Sequence, residues 1–232
     1  MAMLKEICSD ILSLFYPIVC VCCNKHLTYN EELICVHCRH DLPLTNFTNQ
    51  KNNPVEKLFY GRIPVFAASS LLFFYKKGIT QKLIHQLKYK QKQEIGNFVG
   101  HLLSEEISKS KRFANIDCIV PVPIHPKKLN LRGYNQLTRF GKCLSNVLKI
   151  PFEEDHLIKT NSSDTQTKKT RIDRWENTNT SFKLIDTTTF ENRHVLLIDD
   201  VITTGATIEA CCNELLKTKN ITLSVATIAY TE

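Results

Sequence analysis

The chain has 232 residues, 43% of them hydrophobic, with a formal net charge of +7, so it can bury a core in one or two domains and its basic balance suits polyanionic partners, phosphate-bearing metabolites or nucleic acid. No apolar run reaches the roughly eighteen residues of a membrane span. Ten cysteines without an export signal point to metal binding or core packing rather than to disulfides.

The N-terminal stretch MLKEICSDILSLFYPIVC imitates a signal peptide, but Glu6 and Asp10 stand where that signal needs positive charge and no small-residue cleavage site follows. Leu4, Ile7, Cys8, Ile11, Leu12 and Phe15 fall on one helical face, which predicts a docking helix on a cytoplasmic protein. Next come Cys20-x-x-Cys23 and Cys35-x-x-Cys38, with eleven residues between the pairs. Two thiolate pairs brought together by a hairpin make a tetrahedral sulfur site, the arrangement of structural zinc, and four protein ligands leave no open position for catalysis. Cys22, His26 and His37 stand nearby as alternative ligands. Cys118, Cys143, Cys211 and Cys212 lie in apolar-periodic segments and read as small core residues.

TNFTNQKNNPVE, residues 45–56, is polar, Asn-rich and broken by Pro54, so it reads as a connecting loop. It separates residues 1–45, a helix plus a zinc-binding module, from a second domain over residues 55–232 whose core lies at about 115–232. Residues 60–76 suggest a strand pair. A helix follows from about Ile79, and another from about Gln93 with Ile95, Phe98, Val99, Leu102, Leu103 and Ile107 on one face. The lysines of KKGITQKLIHQLKYKQKQ read as a solvated helix face, with a phosphate-binding patch as the alternative.

From Asn115 the pattern alternates. IDCIVPVP is a short strand; Leu137, Phe140, Leu144, Val147 and Leu148 make a helical face; HVLLID is a second strand. A helix bearing Ile208, Cys211, Cys212, Leu215 and Leu216 leads to a third strand, ITLSVATIAY. Strands alternating with helices imply an α/β fold, a parallel sheet flanked by helices, and such sheets bind ligands outside the carboxyl ends of their strands.

That rule draws attention to VLLIDDVITTGAT, residues 195–207, where a strand ends in two carboxylates. The same pattern describes the metal-binding strand of P-loop nucleotidases, but none of the seven glycines begins a Gly-x4-Gly-Lys-Ser/Thr motif. What remains is a strand, an acid pair, a short turn and a helix start. Unpaired N–H groups and the positive end of the helix dipole suit a phosphate dianion. Gly205 lets the backbone come close, and Thr203, Thr204 and Thr207 add hydroxyls. Asp199 and Asp200, acceptors when ionised, suit the hydroxyls of a ribose. The stretch reads as a site for a ribose 5-phosphate.

VLLIDDVITTGAT resembles the phosphoribosyl pyrophosphate signature of type I phosphoribosyltransferases. Together with VPVPIHPKKLNLRGYNQ and TQTKKTRIDRWENTNTSF, in this order behind a cysteine cluster, it resembles the ComF family of competence-associated proteins across nearly the whole chain. The resemblance implies a type I phosphoribosyltransferase-like sheet in residues 55–232. Asp199 and Asp200 would hold the ribose hydroxyls and Thr203, Thr204, Gly205, Ala206 and Thr207 the 5-phosphate. His125, Lys127, Lys128 and Arg132 would form a loop facing the pyrophosphate, with magnesium between pyrophosphate and ribose. The polar, basic residues 160–182, which include Trp175, would form a mobile lid. Some purine-specific members of the superfamily carry an acid where this chain has Thr203, so that base-handling chemistry is not implied. His125 and His156 are the candidates for a general base, and the sequence assigns none.

Two functions follow as expectations. In one, the chain transfers a phosphoribosyl group from phosphoribosyl pyrophosphate to an unidentified acceptor, in a setting linked to DNA uptake and natural transformation. In the other, the same pocket is a non-catalytic metabolite sensor, and the zinc module and basic surface contact single-stranded DNA or a DNA-uptake protein. Tyr89, Tyr134 and Trp175 are scattered candidates for base stacking.

Overall fold

The computed structural model describes residues 18–90, 92–160 and 182–232. The docking helix expected at residues 4–15 and the basic segment 161–181, with Trp175, lie outside the described residues. In chain order the elements are α1 (Val36–His40), α2 (Pro54–Lys57), β1 (Ala67–Phe73), α3 (Ile79–Tyr89), α4 (Glu94–Ser108), β2 (Cys118–Pro121), α5 (Pro126–Arg132), α6 (Leu137–Leu148), β3 (Leu157–Lys159), β4 (Phe182–Leu184), β5 (His194–Ile202), α7 (Ala206–Leu215) and β6 (Thr222–Tyr230).

Four strands form one sheet in the order β1-β6-β5-β2, every neighbouring pair parallel. β5 and β6 are buried on both faces along most of their length, which is why they read as near-continuous apolar runs rather than as alternating ones. The α/β class expected from the alternation is the observed one. Residues 60–76 yield a single strand, β1, rather than a strand pair: its residues are buried on both faces beside β6, and a doubly buried strand needs no hairpin partner. β3 and β4 form a separate antiparallel ribbon.

Helices cover the sheet with the faces that their periodicity indicates. In α4, Ile95, Val99, Leu103 and Ile107 are buried and Phe98 and Leu102 partly so; in α6, Leu137, Phe140 and Leu144 are buried and Leu148 partly so, whereas Val147, expected on the same face, is exposed because it lies at the rim of the helix's buried stripe. α4 and α6 approach backbone to backbone at Gly100, where a Cβ would stand 2.7 Å from that of Cys143, closer than any side chain allows. Cys118, Cys143, Cys211 and Cys212 are all buried, the small core residues expected. The cysteine segment is part of the same continuous core, since Cys20, Val21, Ile34, Cys35 and Cys38 are contiguous with the buried residues of the sheet layer.

The stretch 45–56 is a loop by conformation, yet it is held tightly. Asn53 is fully buried; its amide donates to the carbonyls of Phe47, Gln50 and Ala68, and its side-chain oxygen caps α2 by accepting from Val55 and Glu56 N–H. Glu56 accepts from Asn52 and Ala68 N–H and from Arg112. A run of asparagines marks non-helical backbone, but whether its amides meet water or neighbouring carbonyls is set by what packs on them. No helix among the described residues is long and apolar enough to cross a membrane.

Candidate functional site

β5 carries Asp199 and Asp200 near its carboxyl end and continues to Ile202. Successive side chains of a strand point to opposite faces, so the two carboxylates straddle the sheet edge and meet different surroundings. Asp200 is buried; one of its oxygens accepts from the Lys88 ammonium at 2.8 Å and the other from the Gln136 amide at 2.7 Å. Asp199 is half-buried, accepts the Asp200 N–H at 2.8 Å and lines a concavity with residues 201–208. Burial, and after it the negative charge of Asp200, pushes the Asp199 carboxyl up to about 8.

The far wall of that concavity is the turn into α7. Gly205 stands at the N-cap with φ 77°, the left-handed region that favours glycine, and a Cβ there would lie 3.0 Å from the Phe59 ring. Thr203, Thr204, Ala206 and Thr207 are exposed around it. Glu209 N–H donates to the Gly205 carbonyl at 2.8 Å and Ala206 N–H makes a long contact of 3.5 Å with Thr204 Oγ1; the first N–H groups of a helix have no partner within the helix and suit an anion. Arg62 fastens the turn from outside: its guanidinium donates to the Thr204 carbonyl at 3.0 Å and pairs with Glu209.

The segment expected as a loop facing the pyrophosphate is a short helix, α5. Pro126 opens it, the His125 ring caps it by accepting from Lys127 N–H at 3.1 Å, and Gly133 closes it with φ 76°. A proline at the first helical position with a glycine just past the end is a helix signature, and the basic character of the segment obscured it. No residue of α5 is buried, and Lys127 and Lys128 are exposed. Arg132 alone of the four basic candidates is tied to the acid pair: it donates to the Gln136 side-chain oxygen at 2.6 Å, and Gln136 in turn donates to Asp200. Its guanidinium lies 5.2 Å from the centre of the Tyr89 ring. His156 pairs with Glu153 at 3.3 Å and packs edge-on to Phe190.

Sequence reasoning missed Lys88, Gln136, Arg62 and Phe59. Lys88 stands among the lysines read as a solvated face, and its periodicity on α3 marked it no differently from them. Only the tertiary fold, which brings the end of α3 to Asp200 on β5, pairs it with a carboxylate.

The second cluster lies in the cysteine segment. The Sγ atoms of Cys20, Cys23, Cys35 and Cys38 lie within 4.8 Å of one another, and those of Cys23 and Cys35 are 3.7 Å apart. Four sulfurs on a tetrahedron about 2.3 Å from zinc stand about 3.8 Å from each other, so the donor set fits a thiolate-preferring ion and can hold one. The Cys20 thiol, which burial alone would raise, is held at about 6 by hydrogen bonds from backbone N–H groups, those of Cys35 and Cys22 at 3.4 Å among them. Asn24, with φ 60°, turns the chain after the first pair, and Glu31 ties the second by accepting from Val36 N–H at 2.7 Å. Cys22 is buried but stands outside the four, as do His26 and His37.

The family model of the Phosphoribosyl transferase domain matches residues 138–231, a stretch that contains both carboxylates, the threonine turn and α7. The chain therefore carries a phosphoribosyltransferase-type domain, and the matched stretch includes the parallel strands β5 and β6. It is 30% identical over 146 residues to the DNA utilization protein YhgH of Escherichia coli O157:H7, covering 62% of this chain and 63% of that relative. It is 32% identical over 139 residues to Competence protein F of Haemophilus influenzae, covering 58% of this chain and 59% of that one. With Competence protein ComFC of Bacillus subtilis it shares 29% over 142 residues, 59% of this chain and 53% of the relative. These similarities, which span less than two thirds of each relative's length, support the resemblance to the ComF family.

Proposed function

We propose that the chain binds phosphoribosyl pyrophosphate with magnesium and transfers the phosphoribosyl group to an acceptor. The observation that carries this reading is the left-handed Gly205 turn at the start of α7, with Asp199 lining the same concavity. A phosphate at the helix start and a ribose above the strand end fill such a site together. Magnesium, a hard cation that keeps oxygen ligands, would be carried chiefly by the pyrophosphate and ribose hydroxyls of the ligand; when bound, it neutralises charge on the leaving group. Thr203, Thr204 and Thr207 offer hydroxyls to the 5-phosphate, and Arg132 brings a fixed positive charge to the Asp200 side of the edge. Catalysis by such a site is electrostatic: donors and cations already in place stabilise charge that develops on the departing group.

The cysteine cluster is read as a structural zinc site, because four sulfur ligands leave no open position. Residues 1–45 and 55–232 are proposed as module and phosphoribosyltransferase-like domain. The names of the relatives, DNA utilization and competence proteins, support a setting in DNA uptake. A second reading, a non-catalytic metabolite sensor, is favoured by Thr203, which leaves the edge without a base-handling acid at that position.

Calorimetry with phosphoribosyl pyrophosphate and magnesium, alongside an assay of pyrophosphate release across a panel of acceptor bases, tests these readings. Binding with release supports the transferase. Binding without release selects the sensor, and absence of binding removes both.

A further inference from the structure

Asp200 is held by a side-chain network drawn from α3, the end of α5 and the residue that precedes α6, and the expected site residues include only one of its members, Arg132. Lys88, near the end of α3, pairs with one oxygen of Asp200 at 2.8 Å, and Gln136, just before α6, donates to the other at 2.7 Å. The orientation of the Gln136 amide is determined by its other neighbour. Arg132 has donors only, so at 2.6 Å from Gln136 Oε1 it forces the oxygen of the amide toward α5 and the NH2 toward Asp200. The end of α3 is itself tied down, since Tyr134 OH donates to the Leu87 carbonyl and Tyr89 lies beneath the Arg132 guanidinium.

We propose that Lys88 and Gln136 are positioning residues that hold Asp200 in one orientation as the acceptor for a ligand's ribose hydroxyl, and so make the pocket discriminate a ribose from a 2-deoxyribose. An ionised carboxylate offers about four lone-pair sites; Lys88 and Gln136 take one on each oxygen and leave the others for the ligand. Asp200 is only 5% exposed, so without these two donors it has little water to turn to and no fixed direction. The threonine turn acts independently, because its phosphate donors belong to the start of α7 and are braced by Arg62. The inference rests on the reading of this edge as a ribose 5-phosphate site.

The test compares ribose 5-phosphate with 2-deoxyribose 5-phosphate by calorimetry on the full chain. The wild type is expected to prefer the ribose compound by about tenfold or more, the ratio that one hydrogen bond to a charged group supplies. Lys88→Met and Gln136→Leu should erase that preference and leave affinity for the deoxy compound within about twofold, whereas a general loss of structure lowers both equally. Gln136→Leu keeps the Lys88–Asp200 pair and therefore serves if Lys88→Met does not fold. Lys88→Arg, which keeps a cation facing Asp200, should recover part of the preference. Variants that discriminate as well as the wild type, or that lose both ligands in parallel, overturn this inference alone. A wild type that binds neither sugar phosphate overturns the pocket reading and this inference with it.

Discussion

Asp199 and Asp200 are adjacent in sequence and unlike in setting, and their difference is measurable. Asp200 has a cation and an amide; Asp199 has burial, a negative neighbour and a carboxyl pushed up to about 8. A carboxyl that keeps its proton to higher pH in the folded chain than in the unfolded one contributes stability that is full below about pH 4 and is lost as pH rises through 8. Asp199→Asn removes that loss. The variant is expected to be more stable than wild type at pH 8 and equal to it near pH 4, read from urea midpoints, while its affinity for ribose 5-phosphate falls. A gain of the same size at both pH values would mean that the side chain acts through packing. Gly205→Ala tests the other half of the site: φ 77° and a Cβ 3.0 Å from Phe59 should cost about 1–2 kcal/mol and weaken phosphate binding, with unchanged midpoints counting against a strained turn.

At the scale of elements, the site is where pieces distant in sequence are fastened together. Arg62, just beyond α2, donates to the Thr204 carbonyl at 3.0 Å and pairs with Glu209 on α7. The guanidinium is partly exposed, so the pair itself adds less than about 1 kcal/mol to stability, whereas its effect on the turn geometry is direct. Arg62→Ala is expected to weaken inorganic phosphate and ribose 5-phosphate by similar factors, about fivefold, with a small change in thermal midpoint. This differs from the sugar-selective loss expected at Lys88, and a sugar-selective loss at Arg62 would show that the two networks are not separate. The connecting stretch 45–56 illustrates the same point. Its asparagines mark a turn in the sequence, but the role of Asn53 as a buried hub for Phe47, Gln50 and Ala68 depends on β1 lying beside it.

For the whole molecule, the cysteine segment and the sheet share one core, with Cys20, Val21 and Ile34 contiguous with the buried residues of the sheet layer. Binding energy at the four sulfurs is then folding energy for the chain. Elemental analysis is expected to find one zinc for the four-cysteine set. A strong chelator should lower the thermal midpoint, and Cys38→Ser should do the same without chelator. Cys22→Ser should keep the metal, because Cys22 lies outside the four. Purified protein without zinc, or a midpoint indifferent to chelation, would remove the structural-metal reading.

Features that depend on local chemistry and regular spacing were legible in the order of the amino acids. The alternation of strands and helices, the apolar faces of α4, α6 and α7, the two Cys-x-x-Cys pairs and the acid–threonine–glycine stretch are all written within windows of a few residues, because periodicity and turn chemistry act at that range. Tertiary structure decided which charges meet. Lys88 and Asp200 are 112 positions apart, and Arg62 and Glu209 147, and no local pattern distinguishes a lysine that will face a carboxylate from one that will face water. It also decided that residues 60–76 form one strand rather than two, and that the segment around His125 is a capped helix. The inequality of the two aspartates arises for the same reason: neighbouring side chains on a strand face opposite sides, and what fills each side comes from elsewhere in the chain.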